Sequence, residues 1–253
     1  MKKGPQILIG TSGWHYNHWL GLFYPESITG YNELTHFAKH FNTVENNSSF
    51  YRISKESTYK TWKSKTPEGF IFSLKLNKII THINRLKLTD EVKERTIYIL
   101  NSTQVLESKL GCIVIQLPAS FKLDVKLLES YLKFLEKEIK KLKYPPDIAI
   151  EFRRKDWFIE KVFTLLRKYN AAIVAAQSSR YPDTREVTAD FMYIRMHGPE
   201  KLFSSSYTDE QLKEWAKYIK KSSKRLKRAY VYFNNDFHGY AISNAKRLQE
   251  LLL

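Results

Sequence analysis

Ionisable residues stand at the carboxyl ends of short apolar runs: Glu45, Lys75, Glu151, Arg153, Arg195 and His197. Within DIAIEFR, FMYIRMH and TVENN the polar positions recur every second residue, as Glu151 and Arg153, Arg195 and His197, and Glu45 and Asn47. A period of two places such partners on one face of a strand. Carboxylates beside an imidazole suit proton transfer, which makes Glu45 and Glu151 candidate general bases and His197 a candidate acid or base. Arginine and lysine suit recognition of phosphate or carboxylate, which makes Lys75, Arg153 and Arg195 candidate anion ligands. Asn47, Gln116, Tyr193 and Asn234 share these faces, and His82, Trp14 and Tyr51 follow in adjoining loops as candidate substrate contacts.

The charges in this set do not balance. Lys75, Arg153 and Arg195 face Glu45 and Glu151, and an unpaired buried cation costs several kcal/mol. A small anionic substrate, phosphorylated or carboxylated, would relieve the excess. On this reading Arg195 binds the anion and does more than pair with Glu151.

The elements that must position these residues alternate from end to end. Strands are expected at 7–11, 43–46, 70–75, 112–117, 147–153, 171–176, 191–197 and 229–235, each rich in β-branched or aromatic residues. Between them lie stretches of helical period. Asp124 is placed to cap the helix carrying Leu127, Leu128, Tyr131, Leu135 and Ile139, and Thr208 with Gln211 reads as a capping box. Lys93 to Leu106 and Ala241 to Leu252 have the same period. Gln177 to Ala189 shows no helical period and contains Pro182, so the sixth βα unit is expected to be irregular. Eight strands alternating with helices in 253 residues predict one α/β domain over 1–253, a (β/α)8 TIM-type barrel. An open doubly wound sheet is the alternative, and no GxGxxG fingerprint supports it. In such a barrel Phe70, Phe72, Leu74 and Leu76 face the helices and Ile71, Ser73 and Lys75 face inward. The same parity turns Glu45, Gln116, Glu151, Tyr193, Arg195, His197, Tyr232 and Asn234 to the interior, at the end of the barrel where active sites lie.

The chain also resembles a known family. GTSGWHYNHW, FYP at 23–25, FNTVENNSSFYR, FIFSLK, TH at 81–82, QLPASF, EFRRKDW, YIRMHG and VYFNND followed by GYAISNA are similar to the domain of unknown function 72 family, from Ile9 to Leu252. The resemblance implies a TIM-type barrel and carries no assigned activity. Ala119 stands where the family pattern usually has a second proline, and Lys155-Asp156 before Trp157 is a further departure beside the site.

Other constellations give competing chemistry. His36 and His40 have the spacing of a helical metal pair, but Phe37 replaces the glutamate of the zincin pattern, and the stripe Leu34, Phe37, Ala38 and Phe41 turns both histidines to solvent. Glu45, Glu151 and His197 suit a divalent metal by type, yet the neighbouring cations oppose one, and neither metal nor cofactor is expected. Glu45 and Glu151 could form a glycosidase pair. Lys75 could form a Schiff base if neighbouring arginines lower its pKa, although pairing with Glu45 is the plainer expectation. Trp14, Tyr16, Trp19, Phe23, Tyr24, Phe50, Tyr51, Trp157 and Tyr181 supply an aromatic rim, much of it expected to cap the core.

Composition narrows the classes. Lys and Arg number 42 against 26 Asp and Glu, a net charge of +16, and 43% of residues are hydrophobic, too many for a disordered chain. The single cysteine, Cys112, excludes an intrachain disulfide. MKKGPQILIG lacks the apolar core of a signal peptide and no run approaches the ~20 apolar residues of a membrane span, so a cytoplasmic protein is expected, with no membrane partner. The densest basic stretch, Lys213 to Arg228, feeds the last strand and should lie away from the catalytic end. The sequence therefore predicts an enzyme acting on a small anionic, phosphate-bearing substrate, with hydrolysis or transfer at a phosphoester as the reaction class. A nucleic-acid-binding or processing protein and a non-catalytic small-ligand binder are the competing readings.

Overall fold

The computed structural model describes residues 4–253. Eight parallel strands follow one another around a nearly closed barrel: β1 (Gln6–Thr11), β2 (Thr43–Asn46), β3 (Ile71–Lys75), β4 (Leu110–Gln116), β5 (Asp147–Glu151), β6 (Ala171–Gln177), β7 (Phe191–Met196) and β8 (Arg228–Phe233). Helices α1 (Gly30–Phe37), α2 (Ser48–Tyr51), α3 (Glu56–Ser64), α4 (Asp90–Thr103), α5 (Val125–Ile139), α6 (Glu160–Lys168), α7 (Asp209–Ser223) and α8 (Tyr240–Leu252) connect them. Residues 178–190, between β6 and β7, form neither helix nor strand. The observed strands lie within a few residues of the expected ones. Among the described residues no helix is long and apolar enough to cross a membrane.

Local chemistry starts the helices where the caps predict. Asp124 accepts from the Leu127 amide at 2.9 Å, and Thr208 and Gln211 make both halves of a capping box. The helices then bury their apolar faces against the outward side of the barrel. Phe70, Phe72, Leu74, Met192, Ile194 and Val231 pack in one layer with α1, α3, α7 and α8, and Ile113, Ile115, Ile148, Ile150 and Ile173 pack in another with α4, α5 and α6.

The inward faces hold a smaller cluster, Leu8, Ile71, Cys112, Val114, Ala149, Ala172, Val174, Ala176, Phe191, Tyr193, Tyr230 and Tyr232. Bulk on β7 and β8 is matched by alanines on β5 and β6, so the tyrosines cross the axis. Tyr232 bonds Thr43 at 2.6 Å and Ser73 at 2.9 Å, tying β8 to β2 and β3 from inside. At the seam between β1 and β2 a Cβ at Gly10 would fall 2.1 Å from the Thr43 carbonyl oxygen, so only glycine permits that approach. The register of β3 on β4 slips by one residue between Phe72 and Leu74, which pairs Lys75 with Val114.

Gly10→Ala should therefore be costlier than Asp124→Ala. A seam forced open by overpacking loses about 1–3 kcal/mol or more, whereas Asp124→Ala loses about 1 kcal/mol of capping. Urea denaturation midpoints of the two variants check the order.

Candidate functional site

Arg195 reaches across the top of the barrel from β7 and holds both interior carboxylates. Its NH2 donates to Glu45 Oε1 at 2.7 Å and its NH1 donates to Glu151 Oε2. All three side chains are at most 1% exposed. Glu45 also accepts from Ser12 Oγ at 2.8 Å, from Asn47 Nδ2 at 3.2 Å and, on its other oxygen, from the Tyr193 hydroxyl at 2.7 Å. Glu151 Oε1 accepts from Arg153 Nε at 2.8 Å. Burial alone would raise both carboxyls, but Arg195 and these donors hold Glu45 below the ordinary carboxylate range, and Arg195 with Arg153 holds Glu151 well below it.

These contacts change several expectations. Through NH1 and NH2 Arg195 is the internal counter-ion of the two glutamates, and among its nitrogens only Nε is left without a partner. Glu45 and Glu151 are held ionised by these donors, which makes both weak bases and unsuits either as the protonated acid of a glycosidase pair. The guanidinium also sits between the carboxylates where a divalent ion would have to lie. Among the described residues no group of three or more His, Cys, Asp or Glu side chains is arranged to hold a metal.

His197, wholly buried, accepts from Asn234 Nδ2 on Nδ1 at 3.2 Å, which leaves the proton on Nε2. That Nε2 lies 3.8 Å from Glu151 Oε1, beyond hydrogen-bond reach, and has no partner. Burial, reinforced by Arg195, pulls the His197 pKa down to about 3. On the opposite wall Gln116 Nε2 donates to the Leu117 carbonyl at 3.2 Å and to His82 Nε2 at 3.3 Å. His82 Nδ1 then meets the Thr81 hydroxyl at 2.9 Å, which reaches the Asn77 carbonyl. This chain fixes His82 as neutral, and burial with the charges of Lys75 and Arg153 lowers its pKa to about 4. Neither histidine adds positive charge near neutrality.

Lys75 stands apart. No carboxylate pairs with it, so the expected ion pair with Glu45 is not formed; Arg195 holds that glutamate instead. Its Nζ lies 4.1 Å from the centroid of the Phe50 ring. Burial, then repulsion from Arg195, lowers its pKa to about 7. Arg153 packs over the Tyr181 ring at 4.3 Å and donates to its hydroxyl at 3.3 Å. The three-against-two charge count thus reduces to Lys75 alone.

Parity brings Glu45, Lys75, Gln116, Glu151, Arg153, Tyr193, Arg195, His197 and Asn234 to one end of the barrel, with Asn47 and His82 joined by hydrogen bonds. Trp14 and Tyr51 do not join this hydrogen-bonded network. Trp14 packs edge-on to Trp62 of the outer layer at 5.1 Å, and Tyr51 is 69% exposed beyond Phe50. Of the aromatic rim, Trp19, Tyr24 and Trp157 are buried in the outer core.

Two contributors were not read from the sequence. Ser12 follows Leu8 and Gly10 on the inward face, and the same alternation extended by one step finds it. Asp236, after β8, accepts from Trp19 Nε1 and from His18 Nε2, each at 2.8 Å, and burial raises its pKa to about 6. No spacing in the sequence announces that contact, because its partners lie more than two hundred residues away.

The profile of the family described as "Protein of unknown function DUF72" matches residues 8–253. The chain belongs to the DUF72 family. A DUF72 family protein from Thermotoga maritima MSB8 superposes with a TM-score of 0.83 at 27% identity, covering 98% of this chain and 99% of that one. A DUF72 family protein from Enterococcus faecalis V583 gives 0.82 at 22% identity, over 98% and 95% of the two chains. The UPF0759 protein YunF of Bacillus subtilis (strain 168) is 24% identical over 97% of this chain and 94% of its own length. These DUF72 likenesses establish the barrel and leave the chemistry to the residues above.

Arg195→Met should destabilise this DUF72 barrel by about 3–5 kcal/mol, since it strands two buried carboxylates. Chemical denaturation at pH 7.5 measures the loss. His197 gives a pH signature. Its folded pKa lies below the unfolded value of 6.5, so the unfolded state takes up a proton that the native state refuses between pH 6.5 and about 3. Stability from this group is complete above pH 6.5 and falls with pH. Asp236 has the opposite sign between its unfolded value and about 6, so the clean measure is a difference. The stability gap between wild type and His197→Gln should shrink by about 1.4 kcal/mol per pH unit from pH 6 to 4.5.

Proposed function

We propose that the protein is an enzyme acting on a small anionic, phosphate-bearing substrate at the mouth of the barrel, with hydrolysis or transfer at a phosphoester as the reaction class. The observation that carries the reading is a surplus of unmatched donors there. Lys75 Nζ has no anionic partner, and the buried Arg195 Nε and His197 Nε2 have no acceptor. Buried donors are rarely left unmatched, and an oxyanion supplies acceptors to several at once. Asn47 Oδ1 is an unmatched acceptor beside them, suited to a hydroxyl of the same substrate.

In this reading Lys75 and Arg153, both partly exposed, contact the anion, and Arg195 with the two glutamates is the rigid floor. Lys75, with a pKa near neutrality, is better tuned than either glutamate to accept a proton. An arriving anion would favour its protonated form, so binding should carry proton uptake.

Several basic residues elsewhere are already neutralised by carboxylates. Lys213 pairs with Asp209 at 2.6 Å, Lys227 pairs with Asp190, and Arg228 lies 3.4 Å from Asp147. The last two pairs lie at the starts of strands, the end opposite the mouth.

Titration calorimetry with inorganic phosphate tests the reading. Binding should take up protons at pH 8, and Lys75→Met should weaken it by roughly 1.5–3 kcal/mol, the range for a hydrogen bond to a charged group. A single-stranded oligonucleotide that bound instead, with a log–log salt slope of roughly 0.7 per phosphate contact, would replace this reading with the nucleic-acid one.

A further inference from the structure

The environment of Lys75 does more than leave a cation free. The lysine ion pairs of the described residues involve Lys63, Lys93, Lys140, Lys141, Lys168, Lys213 and Lys227, each more than a third exposed by side chain. Lys75 instead projects inward from the end of β3, without a carboxylate, against the Phe50 ring. The glutamates that could neutralise it are held away from it, because Arg195 grips both, Ser12 and Tyr193 bond Glu45, and Arg153 bonds Glu151. His82 is locked neutral by Gln116 and Thr81. A largely buried amine with no carboxylate partner, beside fixed cations, is the arrangement that activates a lysine as a nucleophile.

We infer that Lys75 is a nucleophilic amine that forms an imine with a carbonyl carbon of the substrate. The inference rests on the preceding reading, and adds that the anionic substrate carries an aldehyde or ketone. The neutral Nζ donates its lone pair to the carbonyl carbon while the C=O π pair moves to oxygen. Proton transfer from nitrogen to oxygen gives a carbinolamine, and loss of one water gives the imine, which takes one proton to become the iminium. Hydrolysis reverses each step, and no oxidant or reductant is required.

The depressed pKa agrees with this geometry. At pH 7.5 a lysine with a pKa of about 7 is mostly neutral, whereas an ordinary lysine near 10.4 is neutral in only about 0.1% of molecules. The larger neutral fraction outweighs the weaker intrinsic nucleophilicity of a less basic amine, so Lys75 should react about tenfold or more faster than a surface lysine of equal access.

The test uses the full chain with pyridoxal 5′-phosphate, an aldehyde bearing a phosphate, and with pyridoxal, which lacks it. Borohydride traps any imine as a secondary amine, and peptide mapping by mass spectrometry locates it. Lys75 should be labelled at least tenfold faster than any other of the 30 lysines, with a rate rising through pH 7. Lys75→Arg should abolish this label while retaining phosphate binding, because it keeps the charge and removes the amine. Labelling of Lys75 no faster than the surface lysines overturns the inference, even if phosphate still binds wild type. Fast labelling by pyridoxal with no phosphate binding leaves the amine assignment standing and removes the anion reading.

Discussion

One guanidinium organises the C-terminal end of this barrel. Arg195 on β7 joins Glu45 on β2 to Glu151 on β5, so three strands far apart in sequence share one buried ion network. Removing three charges from water is expensive, and the Coulomb attraction among them repays it only when the geometry is good and the other lone pairs are matched. Here Ser12, Asn47, Tyr193 and Arg153 supply that matching. The network is best understood as a device that fixes positions, since apolar packing could stabilise a barrel interior at lower cost.

The character of the mouth follows from that commitment. With both glutamates held ionised by Arg195, neither can neutralise Lys75, and the two histidines are kept neutral by burial and by nearby cations. A site that looks crowded with acids and bases therefore has one amine whose protonation is poised near neutral pH. The electrostatic logic is sequential: the arginine fixes the carboxylates, the fixed carboxylates leave the lysine unpaired, and burial withholds water from it.

The floor beneath is unusual for a barrel core in its aromatic share. Tyr193, Tyr230 and Tyr232 fill the interior beside Ala149, Ala172 and Ala176, and their hydroxyls work as well as their rings. Tyr193 bonds Glu45, Tyr232 bridges β2 and β3, and Tyr230 bonds Asp147 at 2.6 Å. Polar tips on rigid rings thus link the apolar interior to charged layers at both ends.

The sequence by itself determined the alternation of strands and helices, the caps at Asp124 and Thr208, and the inward parity of Glu45, Lys75, Glu151, Arg195 and His197. All of these depend on local periods of 2 and 3.6 or on hydrogen bonds within a few residues, so they are written in neighbouring positions. Ser12 was legible by the same rule. Only the tertiary structure decided which cation met which carboxylate, because every partner lies on a different strand and parity gives a face but no distance. That is why Arg195, read as the anion ligand, was found holding both glutamates, and why Lys75, read as the partner of Glu45, was found without a carboxylate. The places of Trp14, Tyr51 and Asp236 were hidden for the same reason: loop side chains have no period, and their positions are set by packing against residues far away in the chain.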